Sequence, residues 1–187
     1  LVEKIVYQDG TTVEKAYDDR ENLTYKKDRL GREIRRTYNE ASQLVQEELP
    51  SGLIRQLSYD EEGRLQEETD SEGGCVRYRY DKHGWLTVRE TKLSERKWKK
   101  ENWEYDHWGR ILTKETNGSR TTYCYQDKLP VPCSMATPEG GWFNYEYDKV
   151  CRLMCIRSEF GERSFGYDVL DYRVSDVDAL GNMESWQ

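Results

Sequence analysis

At 187 residues the chain has room for one domain or two small ones, and Leu, Ile, Val and Phe supply only 34 residues, about 18%, which is little for a conventional core. Fourteen Tyr and six Trp supply amphipathic rings instead, so the chain reads as folded, with a thin aromatic core and a charged exterior. Its net charge of −7 comes from 36 acids and 29 dispersed bases, which excludes a basic nucleic-acid footprint, and no run of about 18 apolar residues exists to form a transmembrane helix.

In chain order, a tyrosine followed by an acid or amide recurs as Tyr17-Asp18, Tyr38-Asn39, Tyr59-Asp60, Tyr80-Asp81, Tyr105-Asp106, Tyr125-Gln126, Tyr147-Asp148 and Tyr167-Asp168. The tyrosines are spaced by 21, 21, 21, 25, 20, 22 and 20 residues, so one small unit has been copied and stacked. The clearest copies run Tyr59 to Leu65, Tyr80 to Leu86 and Tyr105 to Ile111, with Gly63, Gly84 and Gly109 four residues after the tyrosine. Each predicts a tight turn, in which the acid accepts from backbone two residues on and the glycine takes a positive φ. A second glycine lies seven residues before most of the tyrosines (Gly10, Gly31, Gly52, Gly73, Gly118, Gly140), and Gly161 lies six before Tyr167.

Between the turns lie segments of strand length that alternate with period 2. Val76, Tyr78 and Tyr80 fall on one face, and Cys75, Arg77 and Arg79 on the other. The aromatic step of two returns at Trp103/Tyr105, Tyr123/Tyr125, Tyr145/Tyr147 and Phe165/Tyr167. The expected fold is all-β: an antiparallel meander of about eight strand–turn–strand repeats, in one domain over residues 1–187. The wider 25-residue spacing predicts a hairpin lengthened at its solvent end within Lys92–Glu101. The stretch Leu129–Cys133, with Pro130 and Pro132, predicts a bulge, an edge or a protruding loop. Glu21, Ser42, Leu129, Cys151 and Asp171 stand where the turn glycine belongs, which predicts less regular turns there.

Five cysteines exclude a complete disulfide framework within one chain. Cys151 and Cys155, placed in one strand, would share a face about 13 Å apart, too far for a bridge or a shared zinc. They read as small hydrophobes.

The Tyr-Asp-x-x-Gly-Arg-Leu motif in Leu57–Leu65, Tyr78–Leu86 and Trp103–Ile111 resembles the YD repeat of the Rhs family, found in bacterial polymorphic toxins, insecticidal toxin complexes and animal teneurins. The resemblance covers essentially the whole chain. It implies a strip of hairpins curving or spiralling into a hollow shell that encloses a cargo, with repeats that are scaffold and carry no catalytic residues. It also implies a secreted or cell-surface setting, with the rest of the parent shell and its enclosed cargo as partners. The chain begins at Leu1 and shows no shell-closing motif after Gly181, so a slice of wall from a longer protein is expected. Such a slice would self-associate through its unpaired sheet edges.

The repeated acids invite a catalytic or calcium-binding reading, but two strands per repeat set equivalent acids about 10 Å apart. A shared proton needs near contact, and calcium needs six or more converging oxygens. His83 and His107 sit at turns without a third ligand, and Glu47-Glu48 and Glu67-Glu68 point to opposite faces. No Gly-x-Ser-x-Gly, P-loop, His-Glu-x-x-His or dinucleotide fingerprint occurs. The expectation is a non-enzyme with no cofactor and no metal. One alternative rests on the tryptophans: Trp85, Trp108 and Trp142, if exposed, would offer stacking surfaces to a glycan or a cell-surface receptor.

Overall fold

The computed structural model describes residues 1–186, in which every regular element is a β-strand. These residues divide into two compact units, one of Leu1–Asp81 with Val88–Lys100, the other of residues 82–87 with the chain from Glu101 onward. In the first unit the strands are β1 (Val2–Val6), β2 (Thr12–Tyr17), β3 (Leu23–Lys27), β4 (Glu33–Tyr38), β5 (Leu44–Glu48), β6 (Ile54–Tyr59), β7 (Leu65–Asp70) and β8 (Cys75–Tyr80). Two nine-residue strands, β9 (Leu86–Ser94) and β10 (Lys97–Tyr105), have their outer ends in the first unit and their bases in the second. The second unit continues with β11 (Ile111–Thr116), β12 (Ser119–Tyr125), β13 (Pro132–Ala136), β14 (Trp142–Tyr147), β15 (Leu153–Ser158), β16 (Gly161–Tyr167), β17 (Arg173–Val177) and β18 (Met183–Ser185).

The order of pairing is the order of the chain, an all-β antiparallel meander of eighteen strands. Short connections explain this directly: a loop of a few residues can only return the chain beside the strand it has just left. The four extra residues are spent in β9 and β10, whose nine-residue lengths make the longest hairpin, as the spacing required.

Most reversals, at both ends of the hairpins, use one turn geometry, while β11–β12 and β15–β16 are joined by two-residue tips. At the tyrosine end, the Gly63 amide donates to the Asp60 carbonyl at 2.9 Å and the Asp60 amide to the Arg64 carbonyl at 2.9 Å. At the other end, Gly52 and Leu49 repeat the pattern at 2.8 and 2.9 Å. This is a turn closed by one residue in the left-handed region, the second commonest hairpin connection. The tyrosine end carries an extra irregularity. The register shifts immediately before Tyr17, Tyr38, Tyr59, Tyr105, Tyr125, Tyr147 and Tyr167, so two residues of the following strand oppose one. Except in the proline-bearing stretch after Tyr125, a bulge at these turns was invisible to a periodicity argument.

The turns lacking glycine keep the geometry. Glu21, Ser42, Cys151 and Asp171 all hold positive φ, between 59° and 68°. The expected irregularity is therefore corrected for these four: the surrounding hydrogen bonds outweigh the backbone strain of a non-glycine residue there. Cys151 consequently sits in a turn and not in a strand with Cys155. At Leu129 the pattern does change, because the positive φ moves to Asp127 at 47°. Pro132 opens β13, a position where its missing N–H is tolerated; the residues before it form an irregular loop, and Cys133 after it is the extra residue of a bulge, one of the forms expected for this stretch. Replacing the exposed Glu21 by Gly relieves the left-handed strain, and we expect about 1 kcal/mol of added stability, read as a higher urea midpoint.

The core is thin. Among the described residues only Cys155 and Phe165 are buried hydrophobics, and buried charge is as common, at Glu47, Glu101 and Asp176. Strands such as β6, β8 and β14 alternate half-buried and exposed positions along their length. The half-buried set includes Leu57 and Tyr59, Tyr78 and Tyr80, and Phe143, Tyr145 and Tyr147.

Candidate functional site

The tyrosine-bearing turns are the most elaborate polar structure in the molecule. Each begins with the acid or amide. Asp60 Oδ1 accepts from the amides of Glu62 at 3.1 Å and Arg64 at 2.8 Å. Asp18, Asn39, Asp106, Asp148 and Asp168 cap their turns in the same two-bond manner. Asp28, Asp70 and Asp178 do so at the opposite ends of the hairpins, where an Asp-x-x-Gly spacing was legible but unread.

The motif's arginine then ties turn to turn. Arg64 Nε donates to its own Asp60 at 2.7 Å, while Nη1 donates to the Asp81 carbonyl of the next turn at 3.1 Å. Its guanidinium lies 5.0 Å from the centre of the Tyr80 ring. Arg110 repeats this with Asp106 at 2.6 Å, the carbonyls of Asp127 and Leu129 at 2.8 Å each, and the Tyr125 ring at 4.4 Å. Arg152 bonds Asp148, the Asp168 carbonyl and the Asp171 carboxylate, and stacks on Tyr167. A planar cation that donates in two directions while stacking is a task lysine does not perform.

The tyrosine hydroxyl closes the link in the reverse direction. Tyr80 donates to the Leu65 carbonyl at 2.9 Å, at the bulge of the preceding turn. The same bond joins Tyr38 to Leu23, Tyr59 to Leu44, Tyr105 to Leu86, Tyr125 to Ile111, Tyr147 to Pro132 and Tyr167 to Leu153, at 2.8 to 3.1 Å. Tyr17 differs, reaching Glu3 at 3.5 Å. Sequence reasoning assigned the ring to packing and missed the hydroxyl and the arginine. The near-constant spacing between each tyrosine and the preceding motif leucine carried the signal. Tyr80→Phe leaves the Leu65 carbonyl without its donor and is expected to cost about 1 kcal/mol. Tyr78→Phe, on the same face and without that bond, is the near-neutral control, both read by urea denaturation.

Asp60, Asp106 and Asp148 are held in their charged form. The Arg152 amide, followed by the Arg152 guanidinium, keeps Asp148 below the ordinary carboxylate range. At Asp60 and Asp106 partial burial pushes upward, and the amides and guanidinium groups of Arg64 and Arg110 outweigh it. A carboxyl depressed by folding contributes stability above its unfolded pKa and loses it as pH falls through the folded value. The urea midpoint is therefore expected to be flat near neutrality and to fall once pH drops below about 4.

The predicted stacking tryptophans are in three different environments. Trp85 occupies the place of the motif arginine. Its ring lies 4.9 Å from His83 and 5.5 Å from Tyr105, and directly against Gly109. A Cβ on Gly109 would fall 3.0 Å from that ring, and its φ of 82° adds a second reason for glycine. Trp108 is 49% exposed, with Arg110 at 4.5 Å from its ring and His107 at 3.5 Å. It borders a recess formed with residues Gln126 to Leu129. Trp142 is 44% exposed and shares the exposed positions of β14 with Asn144 and Glu146.

No group of three or more His, Cys, Asp or Glu residues among those described could hold a metal ion. Glu67 faces Arg77, while Glu68 pairs with Arg55 and Glu47 with Arg36, so the adjacent acids serve separate cross-strand pairs. The arrangement supplies links between neighbouring repeats, with no convergence on a point outside them.

Comparison with known proteins agrees with the motif. Residues 59–92 match the family profile described as RHS Repeat. The fold is similar to a crystal structure of TcdB2-TccC3-TEV, at 18% identity and a TM-score of 0.73, covering 90% of this chain and 10% of that one. It is similar also to TcdB2-TccC3, at 15% identity and a TM-score of 0.71, covering 94% and 12%. A third match is the Photorhabdus luminescens Tc holotoxin pore carrying a TccC3 mutation, at 15% identity and a TM-score of 0.67, covering 92% and 12%. The chain thus spans about a tenth of the length of these structures. At such identities the likeness is one of fold. No curated protein matches the chain significantly. Residues 59–92 thus resemble an RHS repeat, and the antiparallel meander is similar in fold to these structures.

Proposed function

We propose that this chain is a non-catalytic wall segment: one YD-repeat domain over residues 1–187, built into the β-shell of a larger secreted or cell-surface protein and enclosing that protein's cargo. The observation that supports it most is the inter-turn clamp. Arg64, Arg110 and Arg152 each spend their donors on the turn they stand in and on the next one, and seven tyrosines bond back across the seam. Groups so committed are unavailable to a substrate and suited to holding hairpins edge to edge. The partners are the remaining wall and the enclosed cargo.

The test is face-selective labelling. A bulky tyrosine reagent that cannot cross the wall should modify Tyr78 and Tyr145 in the isolated chain and spare them when the segment is part of its longer parent. A guanidine reagent should reach Arg77 and Arg79, at the exposed positions of β8, in both. Equal tyrosine labelling in the two forms would sink the wall reading. Trp142, exposed beside Asn144 and Glu146, favours a second reading, glycan or receptor binding through its ring. A glycan array with tryptophan quenching as readout distinguishes them, since wall segments should give neither hits nor quenching.

A further inference from the structure

The hairpin of β12 and β13 is the one whose tyrosine-bearing turn lacks the capping acid, the glycine and the arginine together, keeping only the tyrosine links. Gln126 replaces the capping acid, Leu129 the glycine and Pro130 the arginine. Where the Asp60 turn has two backbone bonds and two capping bonds, this one has a single bond, from the Leu129 amide to the Gln126 carbonyl at 3.2 Å. Among the described residues no bond joins the Gln126 side chain to its turn. Support comes instead from the preceding repeat, through Arg110.

At the base of this turn stand two cysteines. Cys124 pairs with Ser134 and Tyr125 with Pro132, so Cys133 is the additional residue of the bulge, opposite Cys124 together with Ser134. Cys133 Sγ lies 3.4 Å from the Cys124 carbonyl oxygen. The equivalent positions in other repeats lie close together: Thr37 and Val45 line one recess, Ser58 and Gln66 another. Thr24 repeats the reach, its hydroxyl donating to the Ala16 carbonyl at 3.1 Å. Residues facing across an antiparallel pair have Cα atoms roughly 4.5–5.5 Å apart, within the range a disulfide spans. Cys124 is exposed, so an external disulfide can reach it.

We propose that Cys124 and Cys133 form a redox-convertible cross-strand disulfide that locks the hairpin whose clamp is incomplete. With oxidised glutathione as oxidant, the Cys124 thiolate attacks one glutathione sulfur and expels a glutathione thiolate, leaving a mixed disulfide. The Cys133 thiolate then displaces the second glutathione, forming the Cys124–Cys133 bond. Two protein thiols lose two protons and two electrons, and one oxidised glutathione becomes two reduced molecules. A dithiol reductant reverses it.

The experiment treats the native chain with oxidised glutathione, alkylates the remaining thiols under denaturing conditions and digests with trypsin. Cleavage after Lys128 separates the two cysteines, so the bridge appears as peptide Thr121–Lys128 joined to peptide Leu129–Lys149. The expected result is that joined pair, with alkylatable thiols falling from five to three. Dithiothreitol should restore five. Cys133→Ser should halt the reaction at a stable glutathione adduct on Cys124. The urea-unfolded chain should give mixed pairings among all five cysteines, since selectivity comes from the fold. A native chain that keeps glutathione on Cys124 with Cys133 alkylated, or that pairs either residue with Cys151, overturns the proposal.

Discussion

Phe165→Ala should lower the stability of the chain by about 3 kcal/mol, among the largest losses from any single truncation. In a molecule whose buried hydrophobics are so few, this ring stands almost alone, 8% exposed and flanked by the guanidinium groups of Arg163 and Arg173, each 5.5 Å from its centre. Its cross-strand partner is Asp176, itself buried and held by Arg163 at 2.7 and 2.8 Å. Removing the ring takes apolar cover from that ion pair as well as from its own site, so the loss exceeds the transfer energy of the side chain. Urea denaturation should show the midpoint falling with the m-value unchanged. Phe160→Ala, at a position 80% exposed, should move it by no more than about 0.5 kcal/mol.

Glu47→Ala is expected to cost about 2 kcal/mol. Glu47 accepts from Arg36 Nε at 2.9 Å and from Arg55 Nη1 at 3.2 Å, in a row that continues from Arg55 to Glu68 across β4 to β7. Breaking a buried pair by deleting one partner strands the other charge, which is typically worth about 3–5 kcal/mol. Here Arg55 is a third exposed and rehydrates, so the lower figure applies. Equilibrium unfolding of the single variants and of Glu47→Ala combined with Arg36→Ala separates the pair's coupling from the stranded charge. Glu62→Ala, at the far surface end of Arg64, should show no measurable change.

The architecture was legible because it rests on local chemistry repeated many times. Tyr59, Asp60 and Gly63 announce a turn, Val76, Tyr78 and Tyr80 announce a strand face, and the period joins them. The bulge was not legible, because a residue such as Gln66 leaves no mark in an alternation pattern when it is the extra one. The clamp was hidden for a different reason. Arg64 meets Asp81 and Tyr80 only after the hairpins stack, so each residue looks like an ordinary surface group until its neighbour arrives. The glycine-free turns erred in the opposite direction. Glu21 and Cys151 looked like failures of the motif, yet the capping bonds from Asp18 and Asp148 hold the same geometry. Trp85 stands in the arginine's place in the motif, a position plain in the sequence, and its contacts with Tyr105 and Gly109 form only when the next turn arrives.

Each clamp has its donor in one copy and its acceptor in the adjacent one, and in most copies the two are the same pair of motif positions. Duplicating or deleting a whole copy in the gene would therefore rejoin compatible ends and leave no orphaned group at the splice. A change of a few codons would do so only at the hairpin tip farthest from the clamps, where β9 and β10 carry theirs. Such a chain can change in length by recombination long before it can tolerate many substitutions at its seams.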